Sequence, residues 1–167
     1  DVKRYHAYPE GVEPTIFCFA FAIKDPEPAD RSQVHQYSMV STEDLRWQRC
    51  HIKSTALLGN VIHFQEGYSS GNDEALLFNA KGELTEASSC NVFIVKDGVI
   101  ATPIQDNQIL PGITRRIIID SLKADGSLKV EERIITLEEA QNADELWVSS
   151  SSKEIAPVTK LDGKPVG

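Results

Sequence analysis

Hydrophobic and polar positions along this chain follow two periods. The two-residue alternation or short apolar run expected of strands covers residues 14–24 (PTIFCFAFAIK), 34–40 (VHQYSMV), 73–79 (DEALLFN), 84–96 (LTEASSCNVFIVK), 99–104 (VIATPI), 129–135 (KVEERII), 145–152 (ELWVSSSS) and 155–161 (IAPVTKL). The 14–24 run is rich in β-branched and aromatic side chains and is expected to be a buried strand. A helical spacing of Leu57, Leu58, Val61, Ile62 and Gln65 predicts a helix over 54–66, starting directly after Lys53. LPGITRRIIIDSLKADG predicts a loop feeding a helix over 113–123, closed by Gly126. Thr136 with Glu139 three positions on predicts a capping box opening a short helix, TLEEAQNA.

Turn signals separate these elements. DPEPADRS is a turn-rich loop, AKGE reads as a turn, and Asp97-Gly98 between alternating runs is a strong hairpin signal. Many strands with two or three helices predict a mixed α/β or α+β fold rather than a regular βαβ series. No internal repeat is visible, and the serines at 149–152 are the only low-complexity run.

With 167 residues, 41% of them hydrophobic and 25% charged, the chain is the size of one globular domain with a real core. A formal net charge of −8 argues against a nucleic-acid partner, whose binding is driven by clustered Lys and Arg; a small anion in a locally positive pocket stays possible. The three cysteines, Cys18, Cys50 and Cys90, lack metal-ligand spacing and suit a reducing cytoplasm. No apolar run approaches the roughly 18 residues of a bilayer span, and no signal peptide is visible. The chain begins at DVKRYHAYPEG without methionine and stops at LDGKPVG, where the last strand enters a turn with no return strand. Both ends read as cut, so one domain of a longer polypeptide is expected.

Four segments offer chemistry, and each also has an ordinary structural reading. Lys53 lies between Ile52 and a run of small and apolar residues: an exposed lysine, or an amine held in a pocket. ILPGITRR puts Gly112 where the backbone must turn into a helix, so the first-turn amides of Ile113 and Thr114 and the Thr114 hydroxyl could cradle an anion, or simply begin a helix. The serine run 149–152 is a source of donors or a polar loop. Glu86 in TEASSCNVF is an exposed strand-end residue or a buried carboxylate in need of a cationic partner.

Taken in order, RWQRCHIKSTALLGN, LTEASSCNVF, LPGITR and SSSSKEIAPV resemble the class IV, or fold-type IV, pyridoxal-phosphate enzymes, and the resemblance covers nearly the whole chain. It implies the strand-rich pseudobarrel with flanking helices of that family's large, cofactor-binding domain, over residues 11–167. By resemblance Lys53 is the Schiff-base lysine and Glu86 pairs with the protonated ring nitrogen. Leu110 packs on the ring. Gly112, Ile113, Thr114, Ser150 and Ser151 hold the phosphate, and Arg46 lines the same pocket.

KRYHAYPEGVEPTI resembles the segment that joins the two domains in D-amino-acid transaminases. Residues 1–10 are therefore expected to be a linker in which Arg4 and His6 trap the substrate carboxylate, arginine offering two charge-assisted hydrogen bonds. The implied activity is transfer of an amino group between an amino acid, expected to be a D-amino acid, and a 2-oxo acid. Aminodeoxychorismate lyase, branched-chain transaminase and a catalytically incomplete scaffold are the alternatives. The family's main phosphate-binding arginine belongs to a smaller N-terminal domain not in this sequence, and a homodimer is expected.

Overall fold

The computed structural model describes residues 6–23, 25, 30 and 32–167. Its elements are β1 (Tyr37–Glu43), α1 (Leu58–Ser69), β2 (Glu74–Phe78), β3 (Leu84–Ala87), β4 (Asn91–Lys96), β5 (Val99–Thr102), α2 (Ile113–Asp125), β6 (Lys129–Glu132), α3 (Leu137–Gln141), β7 (Glu145–Ser150), β8 (Glu154–Leu161) and β9 (Lys164–Pro165). The strands form one mixed sheet in the order β3-β2-β1-β8-β7-β4-β5-β6, with β9 paired to β8. Three pairs are parallel: β1 with β2 and β5 with β6, each linked through a helix, and β1 with β8; β2–β3, β4–β5, β4–β7 and β7–β8 are antiparallel.

The sheet curls until its two ends meet. Beyond β6 the chain returns to the β3 edge, where the Leu84 amide donates to the Ile135 carbonyl at 2.8 Å and the Leu137 amide donates to the Gly82 carbonyl at 2.9 Å. This is the expected strand-rich pseudobarrel. Met39, Leu76, Val92, Ile94, Leu146, Val148, Val158 and Leu161 fill the main core. The period of two in β4 sends Phe93 to the opposite face, where it packs with Ile100 and Ile119 under α2. There Phe93 stacks on Trp147 with ring centroids 4.2 Å apart, a pairing worth about 0.5–1.5 kcal/mol beyond the area it buries.

Local signals account for most boundaries. Asp97 and Gly98 both take positive φ, 50° and 77°, as a two-residue hairpin turn requires. α2 ends at Gly126 in the left-handed region, its amide donating to Leu122. Thr136 caps α3 by accepting from the Glu139 amide at 3.1 Å, but the Glu139 carboxylate turns to Arg133 instead of completing the box.

Several expectations are corrected. Residues 14–23 form no strand and are exposed, with Phe17, Phe19 and Phe21 stacked in a ladder; β propensity without a neighbouring strand to pair leaves an extended ribbon. The second strand begins at Tyr37 and runs to Glu43 rather than covering 34–40. The segment 84–96 is two strands, because Ser88, Ser89 and Cys90 form a tight turn in which the Ala87 amide donates to the Cys90 carbonyl at 2.8 Å. α1 starts at Leu58, four residues later than the position after Lys53. Its apolar positions Leu58, Val61 and Ile62 are exposed, while His63 and Gly67 face the sheet. The final turn does have a return strand, the short β9.

Candidate active site

Four stretches distant in sequence converge on one cleft of about 450 Å³: the loop from Arg46 to Leu57, the β3–β4 turn with Glu86, the entry to α2 from Leu110 to Thr114, and the β7–β8 turn from Ser149 to Ser152. That volume suits a cofactor-sized molecule. Of the residues singled out from sequence, Arg46, Lys53, Glu86, Leu110, Gly112, Ile113, Thr114, Ser150 and Ser151 all line it. His6 is exposed and is not among the lining residues. Arg4 lies outside the described residues.

The deepest part is a buried charge cluster. Arg46 is 8% exposed and Glu86 5%, and the Arg46 Nη1 donates to Glu86 Oε1. The rest of the guanidinium is held by Asp44, with Nε to Oδ1 at 2.9 Å and Nη2 to Oδ2 at 2.7 Å, and Nη2 also reaches the Gln108 carbonyl at 3.2 Å. Thr85 donates its hydroxyl to Asp44 Oδ2 at 2.7 Å. The second oxygen of Glu86 accepts from the Leu110 amide at 3.1 Å and from Asn91 Nδ2 at 3.2 Å.

Burial acts on all three charges. It pushes the Glu86 carboxyl up, and the charge and hydrogen bond of Arg46 only partly offset it. At Asp44 burial is outweighed by the Arg46 and Thr85 hydrogen bonds, so this carboxyl lies below its ordinary range. At Arg46 burial is likewise outweighed, by Asp44 and Glu86, and the guanidinium is held above its ordinary range.

Another part of the cleft wall is the start of α2. Gly112 has φ −64° and ψ 135°, an extended geometry any residue adopts, so conformational freedom is not the reason for glycine there. Space is: a β-carbon on Gly112 would lie 2.1 Å from Asn91 Oδ1. No side chain caps the helix, so its first-turn amides face the cleft with the partial positive charge of a helix start. In the same cleft Ser149 Oγ is buried with no hydrogen-bond partner among the described residues.

Lys53 lines the cleft but is exposed, so the burial expected for it is not found here. The loop 44–57 rather than a strand-to-helix junction carries it. Three contributors went unassigned from sequence. Asp44 was legible as a carboxylate two positions before Arg46, a spacing that closes a local fork. Asn91 stood inside a motif without a role, and Ser149 is the inward-facing first member of its serine run.

An amine, a buried carboxylate and an uncapped helix start around a cleft on a curled mixed sheet define a class of cofactor-binding domain. The match to known proteins is specific: residues 2–161 match the amino-transferase class IV family, to which the chain belongs. The D-alanine aminotransferase of Bacillus licheniformis is 37% identical over 164 residues, covering 98% of this chain and 56% of that protein. The branched-chain aminotransferase of Thermoproteus uzoniensis, solved with norvaline, superposes with a TM-score of 0.73 at 32% identity, over 80% of this chain and 46% of that one. A putative 4-amino-4-deoxychorismate lyase of Legionella pneumophila superposes with a TM-score of 0.74 at 26% identity, over 89% of this chain and 53% of that one. The chain therefore spans about half the length of the curated relatives it matches.

Proposed function

We propose that this protein holds pyridoxal 5′-phosphate in the cleft and moves an amino group between a D-amino acid and a 2-oxo acid. The observation that carries this reading is the convergence of Lys53, Glu86 and the uncapped start of α2 on one cleft from distant parts of the chain. The buried Ser149 hydroxyl, with no partner among the described residues, suits a phosphate, so the residues fit the group. Relatives named D-alanine aminotransferase favour the D-amino acid over the alternatives.

When bound, pyridoxal phosphate supplies a ring that takes up the electron pair left as the substrate's α-proton departs. Lys53 would hold the cofactor's aldehyde end through Nζ and would serve as base and acid for the proton at the substrate's reacting carbon. Glu86 would hold the ring nitrogen and favour its protonated form. Amides of Ile113 and Thr114, with the Thr114, Ser150 and Ser151 hydroxyls, would hold the phosphate, and Leu110 would pack on the ring. We assign receipt of the substrate carboxylate to Arg4 and His6, His6 lying outside the cleft lining of this chain.

Because Lys53 is exposed in this chain, water must be excluded by other polypeptide. We assign that task to a further, arginine-bearing domain and to a second copy in a homodimer. The exposed apolar residues Leu58, Val61 and Ile62 on α1 and Ile16, Phe17, Phe19 and Phe21 on the ribbon suit such burial. No helix among the described residues is long and apolar enough to cross a membrane, and the free cysteines suit a cytoplasmic location.

Incubation with pyridoxal phosphate, borohydride reduction and peptide mass spectrometry tests the reading. A stoichiometric adduct on Lys53 is expected. An adduct scattered over surface lysines, or one undiminished in total by Lys53→Ala, would refute it. D-alanine, L-leucine and aminodeoxychorismate offered in turn separate transfer from D-amino acids, branched-chain transamination and lyase activity.

A further inference from the structure

We propose that Asp44 is a positioning residue that sets the charge Glu86 presents to the cleft, and that this charge selects a cationic ring nitrogen over a neutral one. The second clause rests on the cofactor reading above; the first does not.

The geometry is a division of one guanidinium between two carboxylates. Asp44 takes the Nε and Nη2 edge of Arg46 in a two-bond fork at 2.9 and 2.7 Å, and the Gln108 carbonyl takes Nη2 as well. From the guanidinium Glu86 receives a single donor, Nη1, its other oxygen accepting only the neutral Leu110 amide and Asn91 Nδ2. Had Glu86 held the fork, its charge would be matched one to one. Two carboxylates against one guanidinium leave one negative charge in excess at side chains only 3%, 7% and 8% exposed. A buried unbalanced charge is costly, and a cation arriving from the cleft relieves it. Glu86 is the member through which that occurs, because Glu86 lines the cleft and Asp44 does not.

Asp44 itself is fixed from two sides, by the Thr85 hydroxyl at 2.7 Å and by the Arg46 amide, which donates to Oδ1 at 3.1 Å. It is therefore held in the fork whether or not the cleft is filled. Among the described residues, the other titratable groups near the cluster include Cys50 and Lys53 on the same loop, His63 on α1, whose Nε2 accepts from the Leu45 amide at 3.1 Å, Cys90 after β3, and Asp106 before Leu110.

Asp44→Asn removes the charge and keeps the shape. In the protein without added cofactor, the Glu86 titration midpoint, read by carboxylate carbon NMR, is expected to fall by about one pH unit, since a like charge has gone. Asp44→Glu should return it toward wild type, and it keeps the test open should Asp44→Asn fold poorly. With ring-15N pyridoxal phosphate bound, the pH at which the ring nitrogen loses its proton should drop in Asp44→Asn and recover in Asp44→Glu. An unmoved Glu86 midpoint overturns the first clause, and an unmoved ring nitrogen overturns the second. If wild type takes up no pyridoxal phosphate, the cofactor reading and the second clause fail together, while the Glu86 titration still decides the first.

Discussion

Gly112 and Asn91 share one space: the position a β-carbon on Gly112 would occupy lies 2.1 Å from Asn91 Oδ1. Asn91 cannot yield easily, because its Nδ2 is tied to the Leu110 carbonyl at 2.9 Å and to Glu86 at 3.2 Å. Gly112→Ala should therefore destabilise the fold by about 1–3 kcal/mol, the usual cost of forcing extra volume into a packed site. In Asn91→Ala the same substitution should cost less, with a coupling of about 0.5–3 kcal/mol in a double-mutant cycle of urea unfolding. Additive effects would show that the two do not compete.

Gly67 meets a less forgiving neighbour. A β-carbon there would lie 2.8 Å from the carbonyl carbon of Glu74 and 2.9 Å from its oxygen, both backbone atoms of β2. Alanine in a helix normally gains about 1 kcal/mol over glycine. Here that gain should be overtaken, and Gly67→Ala should lower the unfolding midpoint as α1 is levered off the sheet.

Glu74 is fully buried beside Lys153, whose Nζ is 3.4 Å from Oε2, and it also accepts from Ser89 at 3.0 Å and from Ser88. Lys153→Met leaves a buried carboxylate without its cation and should cost about 3–5 kcal/mol. Adding Glu74→Gln should recover much of that loss in chemical denaturation. A recovery of nothing would mean that the serine hydroxyls alone sustain the charge.

Glu132 anchors α2 to β6 through Arg115 at 3.0 Å and Lys123 at 3.3 Å. Burial would raise its carboxyl, but these bonds outweigh it and hold the group below its ordinary range. The folded state thus binds the proton less readily than the unfolded one. The stabilisation is complete above the unfolded pKa and is lost as pH falls through the lower, folded value. Glu132→Gln should be less stable than wild type near pH 7, by roughly 1 kcal/mol, and the two should converge in acid; a gap that persists unchanged at pH 2 would contradict this account.

Much of the architecture was legible because its signals are local. The Asp97-Gly98 turn, the Thr136 cap and the Gly126 stop need only neighbours in sequence, and the structure has them where the sequence places them. Legibility fails where a distant partner decides. Residues 14–23 have strand composition but no strand to pair with, and the apolar positions of α1 predict a buried face that this chain does not cover. At the cleft, residue types and order pointed to the lining, yet the cation that Glu86 needs was found only when folding brought Arg46 to it across forty positions. The reason for Gly112 was invisible for the same cause, since Asn91 is twenty-one residues away in the chain.

The seam where β1 lies beside β8 has a kinetic consequence. Ser41 and Asp162, bonded there at 2.7 and 2.8 Å, stand 121 positions apart. A chain leaving the ribosome can close the β4–β5 hairpin within moments, but β1 must wait for more than a hundred further residues before its second neighbour exists. Lys53 follows β1 and the serines precede β8, so the two walls of the cleft come together only at this late stitching. A nascent chain therefore lacks a closed cleft until β8 has been made.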